Sequence, residues 1–378
     1  MSPPMQSMKK RLEFLCGLTA VLMSHLLVLS TALAADVGDA SKPATAGRPI
    51  WEAGAIQNEP LLFIQEEGQA TATAKLLFTP SLGFRITHPD LSMKYHQDRD
   101  YILSPESKLV TLTVSSRIPF KTHAQMFPPK GSPNMFSDVL HSEGHFFHDL
   151  QVQASYRTSE KWDGPVPGAE TEKLKITIAK LKAKQPFSIV ALGDSITEGY
   201  NASGFRSLNT PPFQPPFPRL VGNTLQERFG SKVSVVNLGQ SGSVSSAGFN
   251  LLDKVEAEKP DLVIVAYGMN HGEGPEEYGK KIRKLLDAVQ TGNSNADVVL
   301  VASMCGNPRM FPAKRFAGYC DHLKKLEGPG VAVADVTAIW AELMKKKRFS
   351  ALSGNNVNHP NDFSHRVYAQ VIARLFGQ

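Results

Sequence analysis

Four residues of this chain have the types that acyl transfer requires: Ser195, Gly242, Asn270 and His359. Acyl transfer needs a nucleophile, a base that takes its proton, and hydrogen-bond donors for the oxyanion. Ser195 offers a hydroxyl, His359 an imidazole, and Asn270 a side-chain amide. Gly242 offers a backbone N–H that no side chain covers. Together these residues are candidates for an acyl-transfer site.

The elements that must position these residues are visible in the pattern of apolar residues. Apolar runs predict buried strands at residues 187–192, 233–237 and 262–267. A Gly-Asp-Ser turn ends the first run and contains Ser195, Gly242 follows the second run, and Asn270 follows the third. His359 stands before the last predicted helix. Because active sites of open α/β sheets lie at the carboxyl ends of the strands, all four residues are expected at one edge.

Each residue also has a structural interpretation when it is taken alone. The Gly, Asp and Ser of the turn that contains Ser195 are ordinary turn residues, and Gly242 by itself favours a plain tight turn. Asn270 is compatible with an Asx-turn, and an isolated histidine such as His359 is more often structural. The order of the four residues along the chain, each in a suitable position, favours the acyl-transfer site.

Residues 185–378 predict an α/β domain. Strands are expected at residues 187–192, 233–237, 262–267, 297–303 and 331–336. Helices are expected between them at 217–229, 276–289 and 338–346, and a last helix begins near Ser364. Short apolar strands that alternate with helices indicate a parallel sheet covered on both faces.

The preceding residues are expected to differ in structure. Short strand-like runs separated by Pro, Gly, Asp and Ser over residues 51–165 predict a small antiparallel β-sandwich. Residues 166–184 contain Leu174, Ile178 and Leu181 at helical spacing, which predicts a linker helix. The Ala-, Gly- and Pro-rich residues 35–50 are expected to form a flexible leader.

Residues 1–34 have the pattern of a secretory signal peptide. Three basic residues precede an apolar stretch, and Ala32-Leu33-Ala34 fits a small-residue cleavage site. A retained membrane anchor is the alternative. Cleavage predicts a secreted or periplasmic protein without stable membrane insertion, and lowers the net charge from +6 to +4. That charge is scattered, so nucleic acid is not an expected partner. Two cysteines remain after cleavage, Cys305 and Cys320. They are expected either to form one disulfide or to be two buried free thiols.

The ordered blocks resemble the GDSL, or SGNH, hydrolase family, whose motifs are a Gly-Asp-Ser turn, a glycine, Gly-x-Asn and Asp-x-x-His. The resemblance covers about residues 185–378. It implies a flavodoxin-like three-layer α/β/α fold and an esterase that needs no metal or other cofactor. It further implies Ser195 as nucleophile and His359 as general base. The oxyanion hole would be formed by the N–H groups of Ser195 and Gly242 and the side chain of Asn270.

The chain departs from this family three residues before the histidine, where Asn356 replaces the expected acid. An asparagine carbonyl can accept the imidazole N–H, as in Cys-His-Asn proteases, but it offers no full negative charge. We therefore expect Asn356 to orient His359, with Asp362 or a backbone carbonyl as the alternatives. The layout also resembles two-domain acetylesterases of this family that work as Ser-His dyads.

Two further clusters have open interpretations. His141, His145, His148 and Asp149 are clustered, but their spacing fits no standard metal site, so no metal is predicted. The proline-rich residues 211–218 contain Phe213 and Phe217. This segment either walls a substrate cleft or packs on the sheet.

The function that the sequence predicts is a secreted serine esterase, with acetylated carbohydrate as the preferred substrate. A lipase or general short-chain esterase is the alternative enzyme, although no apolar lid is evident. A non-catalytic carbohydrate-binding or cell-envelope protein on a degenerate hydrolase fold is the alternative from another class, and Asn356 is its best support. An acylated small molecule or polysaccharide is the expected partner.

Overall fold

The structure is a computed structural model that describes residues 43–52 and 54–377. Its N-terminal part consists of short strands, which are β1 (Gly54–Leu61), β2 (Phe63–Gln65), β3 (Thr73–Lys75), β4 (Leu82–Thr87), β5 (Lys94–Tyr95), β6 (Tyr101–Ser104), β7 (Leu109–Leu112), β8 (Phe120–Thr122), β9 (Met135–Phe136), β10 (Val139–Leu140) and β11 (Val152–Thr158). A 3₁₀-helix at Pro105–Ser107 and short helices at His123–Met126 and His145–Leu150 connect some of them.

These strands form two main sheets. One is antiparallel with the order β1-β11-β4-β5, and the other has the order β6-β7-β3-β2-β8, in which β2 and β8 run parallel. Strands β9 and β10 form a separate antiparallel pair. Side chains of both main sheets, such as Val152 of β11 and Val110 of β7, are fully buried in the same hydrophobic cluster. Their shared core is the arrangement expected of a sandwich.

The C-terminal part contains a sheet of five parallel strands, β12 (Phe187–Gly193), β13 (Val233–Asn237), β14 (Leu262–Ala266), β15 (Asp297–Ala302) and β16 (Val331–Asp335). Their spatial order is β13-β12-β14-β15-β16, which is the flavodoxin-like order. Successive residues of β12 enter different cores, because Ile189 and Ala191 belong to one hydrophobic cluster and Val190 and Leu192 to the other. This explains why the strand is apolar without alternation. The predicted α/β/α fold is confirmed.

Helices cover both faces of this sheet. They span Lys175–Lys182, Ser195–Glu198, Phe217–Phe229, Leu252–Ala257, Pro275–Gly292, Ala313–Lys324, Val336–Lys346, Phe349–Leu352 and Asp362–Arg374, with a 3₁₀-helix at Ser245–Leu251. Leu220 and Val371 pack into the cluster on one face, and Ile282 and Leu323 pack into the cluster on the other. The helix Ala313–Lys324 was not among the sequence predictions.

The N-terminal strands pack directly on the C-terminal part. The carboxylate of Glu59 in β1 forms a fully buried ion pair with Lys347, and Tyr156 donates a hydrogen bond of 2.6 Å to the same carboxylate. Arg366 donates to the backbone carbonyls of Gln57 and Asn58 at 3.0 and 2.9 Å. The described residues from Ala44 onward belong to one compact unit.

Part of the predicted leader is held against this unit. The N–H of Ala46 donates to Thr224 at 2.9 Å, and the side chain of Gln370 donates to the carbonyls of Ala46 and Arg48. Ala46 and Ile50 are buried, so this part of the segment is anchored, in contrast to the flexible leader expected from its composition. The predicted signal peptide, residues 1–34, lies outside the described residues. No helix in the described part of the chain has the length and apolar character needed to cross a membrane.

Candidate active site

Ser195 lies at the carboxyl end of β12, as the first residue of the short helix Ser195–Glu198. The turn between strand and helix is tight. A Cβ on Gly193 would lie 2.0 Å from the hydroxyl oxygen of Thr197 and 2.6 Å from the carbonyl oxygen of Ala266, so only glycine fits there. Asp194 caps the helix by accepting a hydrogen bond from the N–H of Ile196 at 3.0 Å. The turn fixes Ser195 in a site where it is only 2% exposed.

The imidazole of His359 lies beside the Ser195 hydroxyl. Its Nε2 is 2.9 Å from Ser195 Oγ, within the range of a hydrogen bond. The loop that carries His359 is rigidly held. The backbone carbonyl of His359 accepts hydrogen bonds from the N–H of Gly354 and from the Ser353 hydroxyl, at 2.9 and 2.8 Å. An imidazole in this position can take the proton of the hydroxyl as it attacks a carbonyl.

The other ring nitrogen, Nδ1, has three polar neighbours. They are Glu143 Oε1 at 3.2 Å, Asn201 Oδ1 at 3.1 Å and Asn355 Nδ2 at 3.0 Å. Glu143 belongs to the N-terminal part, between β10 and the helix His145–Leu150. Partial burial raises the pKa of this carboxyl, but hydrogen bonds with His359 and Asn355 and the charge of His359 outweigh burial and lower the pKa of Glu143 to about 2.

The expectation that Asn356 orients His359 is not met in the structure. The Asn356 side chain donates to the carbonyl of Leu140 at 2.9 Å. Its Oδ1 and the backbone carbonyl oxygen of Asn356 both face Asn307 Nδ2. Among the described residues it makes no hydrogen bond with the imidazole. The reason is local, because Asn356 has a φ of 62°, which turns the backbone out of the extended path.

Asp362, the alternative acid, is also directed elsewhere. It is the first residue of the last helix, and its Oδ1 accepts from the backbone N–H of Ser203 at 2.8 Å. Burial raises the pKa of this carboxyl. In the described part of the chain Asp362 has no hydrogen bond with His359, so its contacts are those of a structural residue.

The predicted oxyanion donors lie on loops that meet at the end of β12. The N–H of Gln240 and the hydroxyl of Ser243 donate to the carbonyl of Gly193 at 2.9 and 3.2 Å. Asn270 Nδ2 donates to the carbonyl of Ser243 at 3.1 Å. A primary amide has two N–H donors, and the second N–H of Asn270 has no acceptor among the described residues, so it remains for a ligand. Gly242, between Gln240 and Ser243, is exposed and has a φ of 73°.

Asp194, the residue before the nucleophile, is a second titratable group of the site. Complete burial raises the pKa of Asp194 to about 6, against the lowering effects of the Ile196 N–H and the charge of His359. Its Oδ2 is buried without a hydrogen-bond partner in the described part of the chain. A buried carboxyl of this kind, next to the nucleophile, is typical of functional sites.

Glu143 is the residue that sequence reasoning missed. It lies 216 residues before His359, in a stretch whose histidines and Asp149 raise only the question of a metal site. A glutamate beside His141 and His145 has no local pattern that indicates a distant imidazole. The only available signal was indirect, since Asn356 left the acid position of the family without an acid.

The other candidate clusters lie in different environments. His145, His148 and Asp149 have ligand atoms within 4.8 Å of one another, and two of these residues are exposed. His141 instead contacts Glu143 at 3.3 Å. Phe217 is fully buried, so this ring packs on the sheet and does not wall a cleft.

The two cysteines are separate in the structure. Cys305 and Cys320 are both buried free thiols, and they belong to different hydrophobic clusters. Burial raises the pKa of Cys305 to about 11 and that of Cys320 to about 12. Thiols of this kind are inert, so neither residue is a candidate nucleophile.

Comparison with known families gives a match over the C-terminal part of the chain. The model of the GDSL-like Lipase/Acylhydrolase family matches residues 191–367. This part of the chain is a GDSL-like lipase/acylhydrolase domain. The GDSL-like domain contains Ser195, Gly242, Asn270 and His359 but not Glu143. A comparison with curated proteins found no match.

Several solved structures resemble this chain over about half of its length. A two-domain esterase active on acetylated mannans is 21% identical, with a TM-score of 0.45 over 57% of this chain and 53% of its own. An acetyl xylan esterase from Geobacillus stearothermophilus is 21% identical, with a TM-score of 0.41 over 51% of this chain and 97% of its own. A putative GDSL-like lipase from Parabacteroides merdae is 19% identical, with a TM-score of 0.43 over 51% and 96%. This chain spans about half the length of the two-domain esterase.

Proposed function

We propose that this protein is a serine ester hydrolase in which Ser195 is the nucleophile and His359 the general base. The observation that carries the proposal is the 2.9 Å contact between His359 Nε2 and Ser195 Oγ at the carboxyl end of a parallel strand. Ser195 Oγ attacks the ester carbonyl carbon while its proton passes to Nε2. The tetrahedral intermediate then expels the alcohol, which takes that proton, and leaves an acyl-serine.

Hydrolysis of the acyl-serine repeats these steps with water. His359 Nε2 takes a proton from water as its oxygen attacks the acyl carbon, and the proton returns to Ser195 Oγ when the carboxylic acid leaves. In both steps we assign the oxyanion to the N–H groups of Ser195 and Gly242 and to the free N–H of Asn270. Neither backbone N–H has an acceptor among the described residues, which supports this assignment.

O-acetyl groups on carbohydrate are the substrate that we propose. The nearly complete burial of Ser195 favours a small acyl group over a bulky one. The exposed surface of the Gly242 loop is polar, with Gln240 and Ser241 in contact with solvent. A polar rim of this kind suits a hydroxyl-rich alcohol. The predicted signal peptide, residues 1–34, supports export to a compartment where polysaccharides are met.

Hydrolysis of longer-chain esters is a second candidate, favoured by one cavity. A cavity of about 230 Å³ is lined mainly by apolar side chains, including Phe127, Val139 and Phe349. Asn356, on the loop that carries His359, and Leu140, which accepts its hydrogen bond, also line this cavity. An acyl chain would find an apolar environment there.

The proposal is tested with Ser195→Ala and with the control Ser246→Ala, which changes an exposed serine on the 3₁₀-helix Ser245–Leu251. We expect Ser195→Ala to lose nearly all hydrolysis of p-nitrophenyl acetate and the control to keep it. A fluorophosphonate should label the wild type and the control but not Ser195→Ala. Activity that survives in Ser195→Ala would refute the mechanism.

The substrate is tested by chain length and by acetate release. An acetylesterase hydrolyses p-nitrophenyl acetate faster than the octanoate and releases acetate from acetylated xylan or mannan. Faster hydrolysis of the octanoate would favour the second candidate. Binding of polysaccharide without hydrolysis of any ester would instead indicate a non-catalytic protein.

A further inference from the structure

The tautomer of His359 limits which neighbour can hold its Nδ1. To accept the proton of Ser195, Nε2 must be unprotonated, so the neutral ring carries its proton on Nδ1 and needs an acceptor there. The side chain of Asn355 does not supply one. Its Oδ1 already accepts from the backbone N–H groups of residues 357, 358 and 359, each at 2.9 to 3.0 Å. The Asn355 atom that faces the ring is therefore Nδ2, a donor.

Two acceptors remain, Glu143 and Asn201. Asn201 Oδ1 lies 3.1 Å from Nδ1, and its amide group donates to the carbonyl of Gly354 at 3.3 Å. Asn201 is neutral, whereas Glu143 is ionised. Only the carboxylate gains attraction when Nε2 takes the proton of Ser195 and the ring becomes a cation.

Glu143 is itself held in place for this contact. Asn355 Nδ2 donates a hydrogen bond of 2.8 Å to Glu143 Oε1, and the side chain of Glu143 is 38% exposed. One amide therefore bridges the carboxylate and the loop that carries the imidazole. This bridge orients Glu143 without neutralising its charge.

The chain on both sides of Glu143 is fastened to the loop that carries His359. Before it, the carbonyl of Leu140 accepts from Asn356 at 2.9 Å. After it, the side chain of Gln151 donates to the carbonyls of Ser350 and Ser353, each at 2.7 Å. Asn356, which occupies the usual acid position of the family, thus holds the segment that contains Glu143.

We propose that Glu143 is the positioning residue of the active site, which orients His359 through Nδ1 and stabilises its protonated form. This inference rests on the proposed function. It means that the site is shared between the two parts of the chain, because Glu143 lies outside the GDSL-like domain of residues 191–367. The catalytic residues come from the α/β part, and the charge that supports them comes from the strand-rich part.

The decisive variant is Glu143→Gln, which keeps the size and the acceptor but removes the charge. The control is Asp138→Asn, which neutralises an exposed carboxylate paired with Lys130 in the same segment. With p-nitrophenyl acetate at pH 8, we expect kcat to fall at least tenfold in Glu143→Gln and KM to change less than threefold. The control should retain kcat within twofold.

A pH profile separates this role from a merely structural one. The acidic limb of log(kcat/KM) should move to lower pH in Glu143→Gln, because the protonated base loses its counter-charge. Glu143→Asp should keep the limb close to that of the wild type. In the described part of the chain, His141 contacts Glu143, Tyr200 packs against the His359 ring, and the charges of Asp194 and His365 interact with that of His359. His141→Gln serves as the control for the first of them.

The outcomes distinguish the two proposals. If Ser195→Ala is inactive and Glu143→Gln keeps both the kcat and the acidic limb of the wild type, the role of Glu143 is refuted while the proposed function stands. If Ser195→Ala is active, the proposed function itself fails. If Glu143→Gln melts several degrees below the wild type, its kcat is compared with that of Glu143→Asp at a temperature where both variants are folded. An equal loss of kcat in both, with unmoved limbs, would also refute the role.

Discussion

Replacing Asn356 with aspartate gives this chain the Asp-x-x-His motif of its family, yet we expect the change to weaken the protein. Asn356 is only 6% exposed, and its side-chain N–H₂ donates to the buried carbonyl of Leu140 at 2.9 Å. A carboxylate cannot donate this hydrogen bond. It would direct an oxygen at the Leu140 carbonyl, and the two acceptors would repel each other.

The magnitude follows from these contacts. A buried acceptor left without a donor costs about 1–3 kcal/mol, and burying the new charge adds to this loss. We expect Asn356→Asp to lower the free energy of unfolding by about 2–4 kcal/mol. Its kcat should be unchanged or lower, because Asn356 does not contact His359 and because the Leu140 contact positions the segment that contains Glu143.

Two matched variants separate the hydrogen bond from the backbone conformation. Asn356→Gly loses the side chain but tolerates the φ of 62°, whereas Asn356→Ala also forces an alanine into the left-handed region, which costs about 1 kcal/mol more. We therefore expect the glycine variant to be the more stable of the two. Urea unfolding followed by tryptophan fluorescence gives the stabilities, and p-nitrophenyl acetate gives kcat. An Asn356→Asp protein as stable as the wild type, with a higher kcat, would refute this reasoning.

Three further predictions concern the oxyanion site, the contact between the two parts, and acid stability. Asn270→Ala should lower kcat by about 100- to 1000-fold with little change in KM, and an unchanged kcat would make Asn270 purely structural. Lys347→Met should lower the free energy of unfolding by about 3–5 kcal/mol because it leaves Glu59 buried without its partner; adding Glu59→Gln should recover part of the loss, and no recovery would contradict this. Burial lowers the pKa of His365 to about 4, below its ordinary value, so its stabilising contribution is present above about pH 6.5 and is lost as the pH falls towards 4. Between pH 7.5 and pH 5.0, the free energy of unfolding should therefore fall by about 2 kcal/mol more in the wild type than in His365→Gln. An equal fall in both proteins would contradict this role of His365.

The α/β fold was predictable because its signals are local. A parallel strand buried on both faces must be apolar at successive positions, and each helix must repeat its apolar residues at helical spacing. Strands at residues 187–192 and 233–237 and the helix at 217–229 were therefore visible in the sequence, and the structure has them within a residue or two. The fold in turn determines which strand ends meet. This is why the motif order predicts Ser195 and His359 as a pair, and their side chains lie 2.9 Å apart.

The partner of His359 Nδ1 was not predictable in this way. Asn356 is close to His359 in sequence, but its backbone conformation directs the side chain to Leu140. Glu143 is distant in sequence, and surface glutamates are too common for one of them to stand out. A contact between two parts of the chain leaves no periodic pattern in either part. The sequence by itself therefore determined the fold of the domain and the order of its motifs, whereas only the tertiary structure decided which carboxylate faces the imidazole.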